Sequence, residues 1–139
     1  MVLIEKFTYV IAFRDDKFVM VRHRDRAWEM PGGRLMKGEN YEQAAVREFF
    51  EETGMSLDII GKIRISKPGG KVFVGMAREA LAGKPVEWNI VEVGEFSELP
   101  NDLSFPEVEY RVMLAQAQRL LEKYKKRKPI SATATPLKQ

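Results

Sequence analysis

The residues of this 139-residue chain best suited to chemistry are three glutamates, Glu48, Glu51 and Glu52, offset by three and four positions. On a helix those offsets gather all three carboxylates on one side. Their mutual repulsion opposes folding unless a cation neutralises it. A divalent cation is the natural partner, and hard oxygen donors favour Mg2+ or Mn2+ over Zn2+. The competing reading is a solvated acidic helix face bridged by lysines or by Arg47. Phe49 and Phe50, with Ala45 and Val46, read as the opposite, buried side. No cysteine is present, so disulfides, thiolate metal sites and thiol nucleophiles are excluded. His23, the only histidine, reads as structural.

The glutamates need a framework. Asn40 followed by Gln43 forms a capping box, and Gly54 stands where a helix ends in a left-handed residue, so the spacing predicts a helix from Asn40 to Thr53. Before it, Phe7–Phe13 and Lys17–Arg24 read as a hairpin turning at Arg14-Asp15-Asp16. Apolar residues at both parities predict cover on both faces. Pro31-Gly32-Gly33 predicts a break. Met55–Lys67 and Lys71–Ala80 read as strands joined across Pro68-Gly69-Gly70, and Val86–Phe96 as another, ending near Leu99-Pro100-Asn101-Asp102. Ser104-Phe105-Pro106-Glu107 opens a final helix with a cap, an early proline and an acid. Its core stripe is Tyr110, Met113, Leu114, Ala117, Leu120, Leu121 and Tyr124. Strand, helix, strands, helix is the order of a mixed α/β domain over 1–127. A polar tail, 128–139, has nothing to bury.

Composition narrows the class. With 45% hydrophobic and 31% charged residues, the chain is one ordinary soluble domain. Of 23 basic residues, six lie from Glu122 onward against one acid, leaving 17 basic and 19 acidic residues before it. The basic pI therefore belongs to the C-terminal end and is no ground for a nucleic-acid or membrane partner. The apolar run Phe7–Phe13 is too short to span a bilayer and lacks the flanks of a signal peptide, which makes the cytoplasm the expected address.

Nine positions then act together: Gly33, Glu39, Arg47, Glu48, apolar Phe49, Glu51, Glu52, Gly54 and apolar Met55, within 23 residues. Residue usage near 5–7% each makes a chance match rarer than roughly one in a million. The pattern resembles the Nudix box, Gly-x5-Glu-x7-Arg-Glu-U-x-Glu-Glu-x-Gly-U with U apolar, at every specified position. The resemblance implies an α/β/α fold, a mixed β-sheet sandwiched between helices, with the box as a loop–helix–loop. It implies metal-dependent hydrolysis of a diphosphate linked to another moiety. Metals neutralise the anionic oxygens, polarise the phosphoryl group and lower the pKa of an attacking water. By similarity, Glu48 and Glu52 are the principal metal ligands, Glu51 assists, and the carbonyl of Gly32 joins them. Arg47 orients glutamates, pairing with Glu51, ahead of a contact with substrate, and Glu39 holds backbone or Arg47, ahead of a metal or base role. Gly33 and Gly54 shape the loops. The general base is either box Glu51 or a distant acid. Gly94-Glu95-Phe96 resembles the family's acid before an aromatic, which puts Glu95 first and Glu92 second, ahead of Glu98.

For substrate, Trp28-Glu29-Met30-Pro31-Gly32-Gly33 is similar to the Trp-Glu-Phe-Pro-Gly-Gly run of MutT-type members. Arg22, Arg24, Arg26 and His23 are candidates for polyphosphate oxygens, against an exposed hairpin end. Trp28 reads as a base-stacking residue or as core, and Phe73 and Trp88 share that ambiguity. Asn101 and Asp102 match the region where MutT-like enzymes recognise the base. The expected activity is Mg2+-dependent hydrolysis of a nucleoside triphosphate, such as 8-oxo-dGTP, to the monophosphate and pyrophosphate. The alternative is ADP-ribose or another nucleoside diphosphate derivative, since Pro68 follows Met55 by thirteen residues. A non-catalytic nucleotide sensor is the third reading, opposed by the intact set of box glutamates. Docking on RNA through Lys123–Lys128 is weaker than a solubilising helix end whose cations complement the dipole. Oligomeric state, a homodimer included, is left open.

Overall fold

The computed structural model describes residues 4–80 and 87–127. Strand β1 (Phe7–Arg14) turns into β2 (Lys17–His23) through Asp15 and Asp16, at φ of 51° and 66°. Aspartate tolerates this left-handed region, which matches the twist of a hairpin. The two strands stay paired only beside the turn, at Phe13–Phe18 and Arg14–Lys17. Beyond it they part, and the next segment fills the opening. There β3 (Trp28–Glu29) pairs with β2, and β4 (Gly32–Arg34) pairs with β1. The Val10 N–H donates to the Pro31 carbonyl between them, at 2.8 Å. The expected break is thus confined to Met30-Pro31, because Gly32 and Gly33 find partners in Tyr9 and Thr8 of β1.

The chain continues through α1 (Tyr41–Thr53), β5 (Met55–Ile63), β6 (Gly70–Ala80), β7 (Ile90–Phe96) and α2 (Glu107–Arg127). β6 lies parallel to β1 and antiparallel to β5, while β7 runs antiparallel along β2. One mixed sheet results, of order β3-β2-β1-β6-β5 with β4 and β7 attached to β1 and β2. Successive residues of β1 serve opposite faces. Val10 and Ala12 join Ala45, Phe49 and Phe73 on one side; Ile11 and Phe13 join Tyr110, Leu114, Ala117 and Leu121 on the other. The sheet is therefore sandwiched between α1 and α2, as the box resemblance implies.

Helix α1 carries both expected caps. Asn40 and Gln43 exchange side-chain and backbone hydrogen bonds, and Gly54 ends the helix at φ 77°. Its inward face differs from expectation. Ala44, Ala45, Phe49, Glu52 and Thr53 are buried, whereas Val46 is exposed and Phe50 only half-buried. Ala45, Phe49 and Glu52 follow one another at offsets of four and three, so a glutamate occupies the last core-facing turn. Two strands are shorter than expected: β5 stops at Ile63, and β7 starts at Ile90, with Val86 outside the described residues. Ser104 does not cap α2; its Oγ accepts the Ala27 N–H at 3.0 Å, tying the approach to β3. The segment 128–139 also lies outside the described residues.

Candidate active site

The site begins with Arg47, one turn before the acidic end of α1. Its guanidinium donates to both oxygens of Glu39, to Glu48 at 3.2 Å, to Glu51 at 3.0 Å, and to the Arg34 carbonyl at 3.0 Å. A planar fork with five N–H groups suits that convergence, and a lysine has neither the reach nor the donors. Glu39 also accepts the Met36 N–H at 2.8 Å, closing the loop before the helix. The Arg47 hydrogen bonds, foremost, hold the Glu39 carboxyl below its ordinary range. The same pairing raises Arg47.

Glu48 and Glu52 lie deeper. The Glu52 side chain receives the Gly32 N–H at 3.0 Å, which ties Gly32 to the buried end of α1. Burial, reinforced by Glu48, Glu87 and Glu29, pushes Glu52 up to about 8 against the opposing Gly32 bond. Burial likewise pushes Glu48 up to about 7, with Arg47 opposing and Glu87 and Glu51 adding to the rise. Two desolvated carboxyls beside each other resist carrying charge together unless a further cation joins them. Gly32 and Gly33 are required by close approach. A Cβ on Gly32 would lie 2.1 Å from the Thr8 carbonyl oxygen, and one on Gly33 2.3 Å from the Glu48 carboxylate.

A third element completes the cluster. Carboxylate oxygens of Glu48, Glu51 and Glu87 all lie within 4.8 Å of one another. The Glu87 N–H donates to the Glu51 carbonyl at 2.9 Å, pinning the approach to β7 onto the end of α1. Three converging hard oxygen donors next to a buried fourth fit a divalent cation such as Mg2+ or Mn2+. Sequence reasoning missed Glu87. Its only signal is an acid before an aromatic, Glu87-Trp88, the same cue that Glu95-Phe96 presents.

A NUDIX domain family model matches residues 6–132. The chain belongs to the Nudix family. Among relatives, a Bacillus subtilis (strain 168) protein named "Putative 8-oxo-dGTP diphosphatase" is 37% identical over 57 residues, 40% of this chain and 38% of that protein. An RNA pyrophosphohydrolase of Sphingopyxis alaskensis is 39% identical over 61 residues, 40% of this chain and 39% of its own length. The matched stretches thus span about two-fifths of those relatives. The crystal structure of the Bacillus subtilis pyrophosphohydrolase BsRppH superimposes with a TM-score of 0.65 at 22% identity, over 86% of this chain and 82% of the other. That likeness shows the fold.

In this Nudix domain the remaining candidates part company. Neither Glu95 nor Glu92 belongs to the carboxylate cluster: Glu95 pairs with Arg14 at 3.7 Å, and Glu92 with Arg22 at 3.0 Å. Glu95 lies opposite Val19 and Glu92 opposite Arg22, on alternate faces of β7. Arg26 is engaged by both oxygens of Glu29, at 2.9 and 3.0 Å, and His23 reaches Glu29 at 3.2 Å. His23 is thus buried against a carboxylate and turned from solvent. Burial, foremost, lowers its pKa, although Glu29 opposes that shift. Trp28, partly buried, packs edge-on against Phe96 with centroids 4.8 Å apart, at the border of the α2-side core. Phe73 is core, on the α1 side. Asn101 is exposed in the turn before α2, where the neighbouring Asp102 carbonyl accepts the Trp28 N–H at 3.0 Å. Trp88 remains 76% exposed, with the Arg24 guanidinium 5.1 Å from its ring centroid.

On the α2 side a groove of about 470 Å3 opens between Tyr9, Arg64, Lys67, Glu109, Val112 and Met113. A narrow crevice lined by Tyr9, Glu29, Met30 and Tyr110 adjoins it. Tyr9 is opposite Gly32 in the sheet, and Gly32 in turn holds Glu52. Among the described residues no helix is long and apolar enough to cross a membrane.

Proposed function

We propose that this chain is a Mg2+- or Mn2+-dependent Nudix hydrolase that cleaves nucleoside triphosphates, with 8-oxo-dGTP as a favoured substrate, to the monophosphate and pyrophosphate. The observation that carries the reading is the cluster of Glu48, Glu51 and Glu87 within 4.8 Å, beside buried Glu52. Glu48, Glu51, Glu52 and Glu87 would hold the cation. One oxygen of Glu48 and one of Glu51 accept from Arg47, and one of Glu52 accepts from Gly32, which leaves the second oxygen of each for the metal. The bound cation supplies neutralisation of the phosphate oxygens and a water of lowered pKa.

The chain's own residues do the rest. Arg47 fixes the spacing of Glu48 and Glu51, so the carboxylates are positioned before substrate arrives. Glu87, at the edge of the cluster, accepts the one proton that the attacking water releases, with Glu51 of the box as the alternative acceptor. Glu87 takes the role that the sequence reading gives Glu95 and Glu92, because it is the distant acid brought to the box. The groove beside Tyr9 and Lys67 receives the nucleoside, with Tyr9 and Gly32 linking it to Glu52. The name of the Bacillus subtilis relative supports the choice of an oxidised purine nucleotide.

The test is a panel of nucleoside triphosphates, 8-oxo-dGTP and ADP-ribose with Mg2+, assayed for pyrophosphate and for phosphate-monoester products. Pyrophosphate release from triphosphates, greatest for 8-oxo-dGTP, is the expected result. Turnover of ADP-ribose alone would overturn the triphosphate assignment, and no turnover with any divalent cation would favour a sensor.

A further inference from the structure

We propose that Tyr41, the first residue of α1, is a positioning residue for the groove. Its hydroxyl holds the turn between β5 and β6, and that turn sets Lys67 across the groove's two walls. The inference rests on the proposed seating of the nucleoside in that groove and names a residue outside the groove that sets affinity for it.

The start of α1 does not need a tyrosine. Asn40 and Gln43 complete the capping box between themselves, and tyrosine is no better than average as a helix former. Tyr41 instead reaches off the helix. Its partly buried ring packs against the core that holds Ala45 and Phe49, four and eight residues further along the same face. The Lys71 ammonium lies 4.4 Å from the ring centroid. These contacts aim the hydroxyl, which donates to the Gly69 carbonyl at 3.0 Å.

The Gly69 carbonyl joins three segments. It also accepts the Phe7 N–H at 3.0 Å, and the following N–H, of Gly70, returns to the Lys67 carbonyl at 3.3 Å to close the turn. Gly69 stands at φ 81°, and a Cβ there would lie 2.3 Å from the Glu5 carbonyl oxygen, so only glycine lets the chain pass. The turn is therefore fixed to β1 through Phe7 and to α1 through Tyr41.

Lys67 leaves this turn toward the start of α2. Its Nζ lies 3.5 Å from the Glu109 carboxylate and 5.4 Å from the Phe105 ring centroid. Lys67 and Glu109 both line the groove and the adjoining crevice, so the lysine bridges the wall of residues 64–67 and the wall of α2. An exposed ion pair of this kind is weak and does not by itself fix a long side chain. The place of the ammonium depends on the backbone that carries it. A held turn presents the ammonium in advance, whereas a loose one adds the cost of ordering it to binding. Tyr41 is absent from the groove lining and acts on it only through the turn.

The experiment measures kcat, KM for 8-oxo-dGTP and the Mg2+ requirement in wild type, Tyr41→Phe, Lys67→Met and the double variant. Tyr41→Phe keeps the ring and removes one hydrogen bond, so KM should rise about fivefold. Its kcat and Mg2+ requirement should stay within about twofold of wild type. Lys67→Met should raise KM at least as much, and the double variant should match Lys67→Met, since the tyrosine acts through the lysine. Three results would each overturn the assignment: an unchanged KM in Tyr41→Phe, two effects that multiply in the double variant, or a Mg2+ requirement that rises with KM. A merely stabilising tyrosine would lower the Tm and leave KM alone. Amide hydrogen exchange at Gly70, whose N–H closes the turn, reads the same contact without turnover and should be about fivefold faster in Tyr41→Phe. If the wild type does not hydrolyse 8-oxo-dGTP, the reaction assignment fails. Exchange at Gly70 then decides the positioning role, and equal rates in the two proteins overturn it.

Discussion

Gly33 and the Glu48 carboxylate occupy adjoining space so closely that a single added carbon, 2.3 Å from Oε2, would collide with it. The obstruction is the far end of a flexible side chain, so the collision moves the carboxylate and spares the backbone. Gly33→Ala should therefore fold normally yet require more Mg2+ for half-maximal turnover, by about 10-fold or more, since a displaced ligand leaves the cation incompletely held. Mg2+ titrations of activity, paired with thermal melts, measure both. An unchanged Mg2+ requirement would show that Glu48 does not contribute to the cation site.

Glu52→Gln keeps an oxygen to accept the Gly32 N–H and removes a charge that burial opposes. Metal-free stability should be retained or increased at pH 8 and above. Turnover should fall by about 100-fold or more, the usual consequence of losing a ligand that neutralises transition-state charge. A variant with wild-type kcat at ordinary Mg2+ concentrations would contradict the ligand role.

Glu48 and Glu52 also set a pH dependence. Both are raised from the usual 4.5, to about 7 and about 8, by burial first of all. The fold therefore favours their uncharged forms. Their contribution to stability is complete below about pH 4.5 and is lost as pH rises through about 7 to 8. On the order of a few kcal/mol is at stake. The metal-free protein should melt at lower temperature at about pH 8.5 than at about pH 5.5, and Mg2+ should raise the Tm more at the higher pH. A Tm that climbs over that interval without metal would sink the reading.

The three distant acids can be separated by the same conservative change. Glu87→Gln should lower kcat by about 100-fold, as loss of a general base does. Glu92→Gln and Glu95→Gln should stay within a few-fold of wild type, because each removes an exposed ion pair worth about 1 kcal/mol or less, with Arg22 and Arg14. A large kcat loss confined to Glu95→Gln would restore the acid before Phe96 as the base.

Arg47→Lys preserves charge and loses the fork. With four acceptor groups to satisfy, lysine leaves Glu39 or Glu51 unpaired. A stability loss of about 2 kcal/mol is expected from the missing charged hydrogen bonds. It should come with a fall in kcat/KM. Denaturant unfolding and initial rates read the two effects separately.

Much of this protein is local and could be read along the chain. The capping box at Asn40, the left-handed Gly54, the Asp15-Asp16 turn, the stripe of α2 and the nine-position box all act within a few helical turns, where residue type and spacing fix the geometry. The roles of Arg47 and Glu39 follow from the same short range. Tertiary structure decided the rest. Whether Phe50 or Glu52 faces the sheet depends on how α1 is rotated against β1 and β4, which no single-helix pattern specifies. Whether Gly32-Gly33 ends a strand or forms one depends on β1 and β2 parting beyond their turn. The fourth acid comes from a segment more than 30 residues beyond the box, and Glu87-Trp88 and Glu95-Phe96 offer the same local cue. The Glu87 backbone is hydrogen-bonded to the last turn of α1, which sets one of them beside the box carboxylates, because proximity between distant segments is a property of packing and not of sequence spacing.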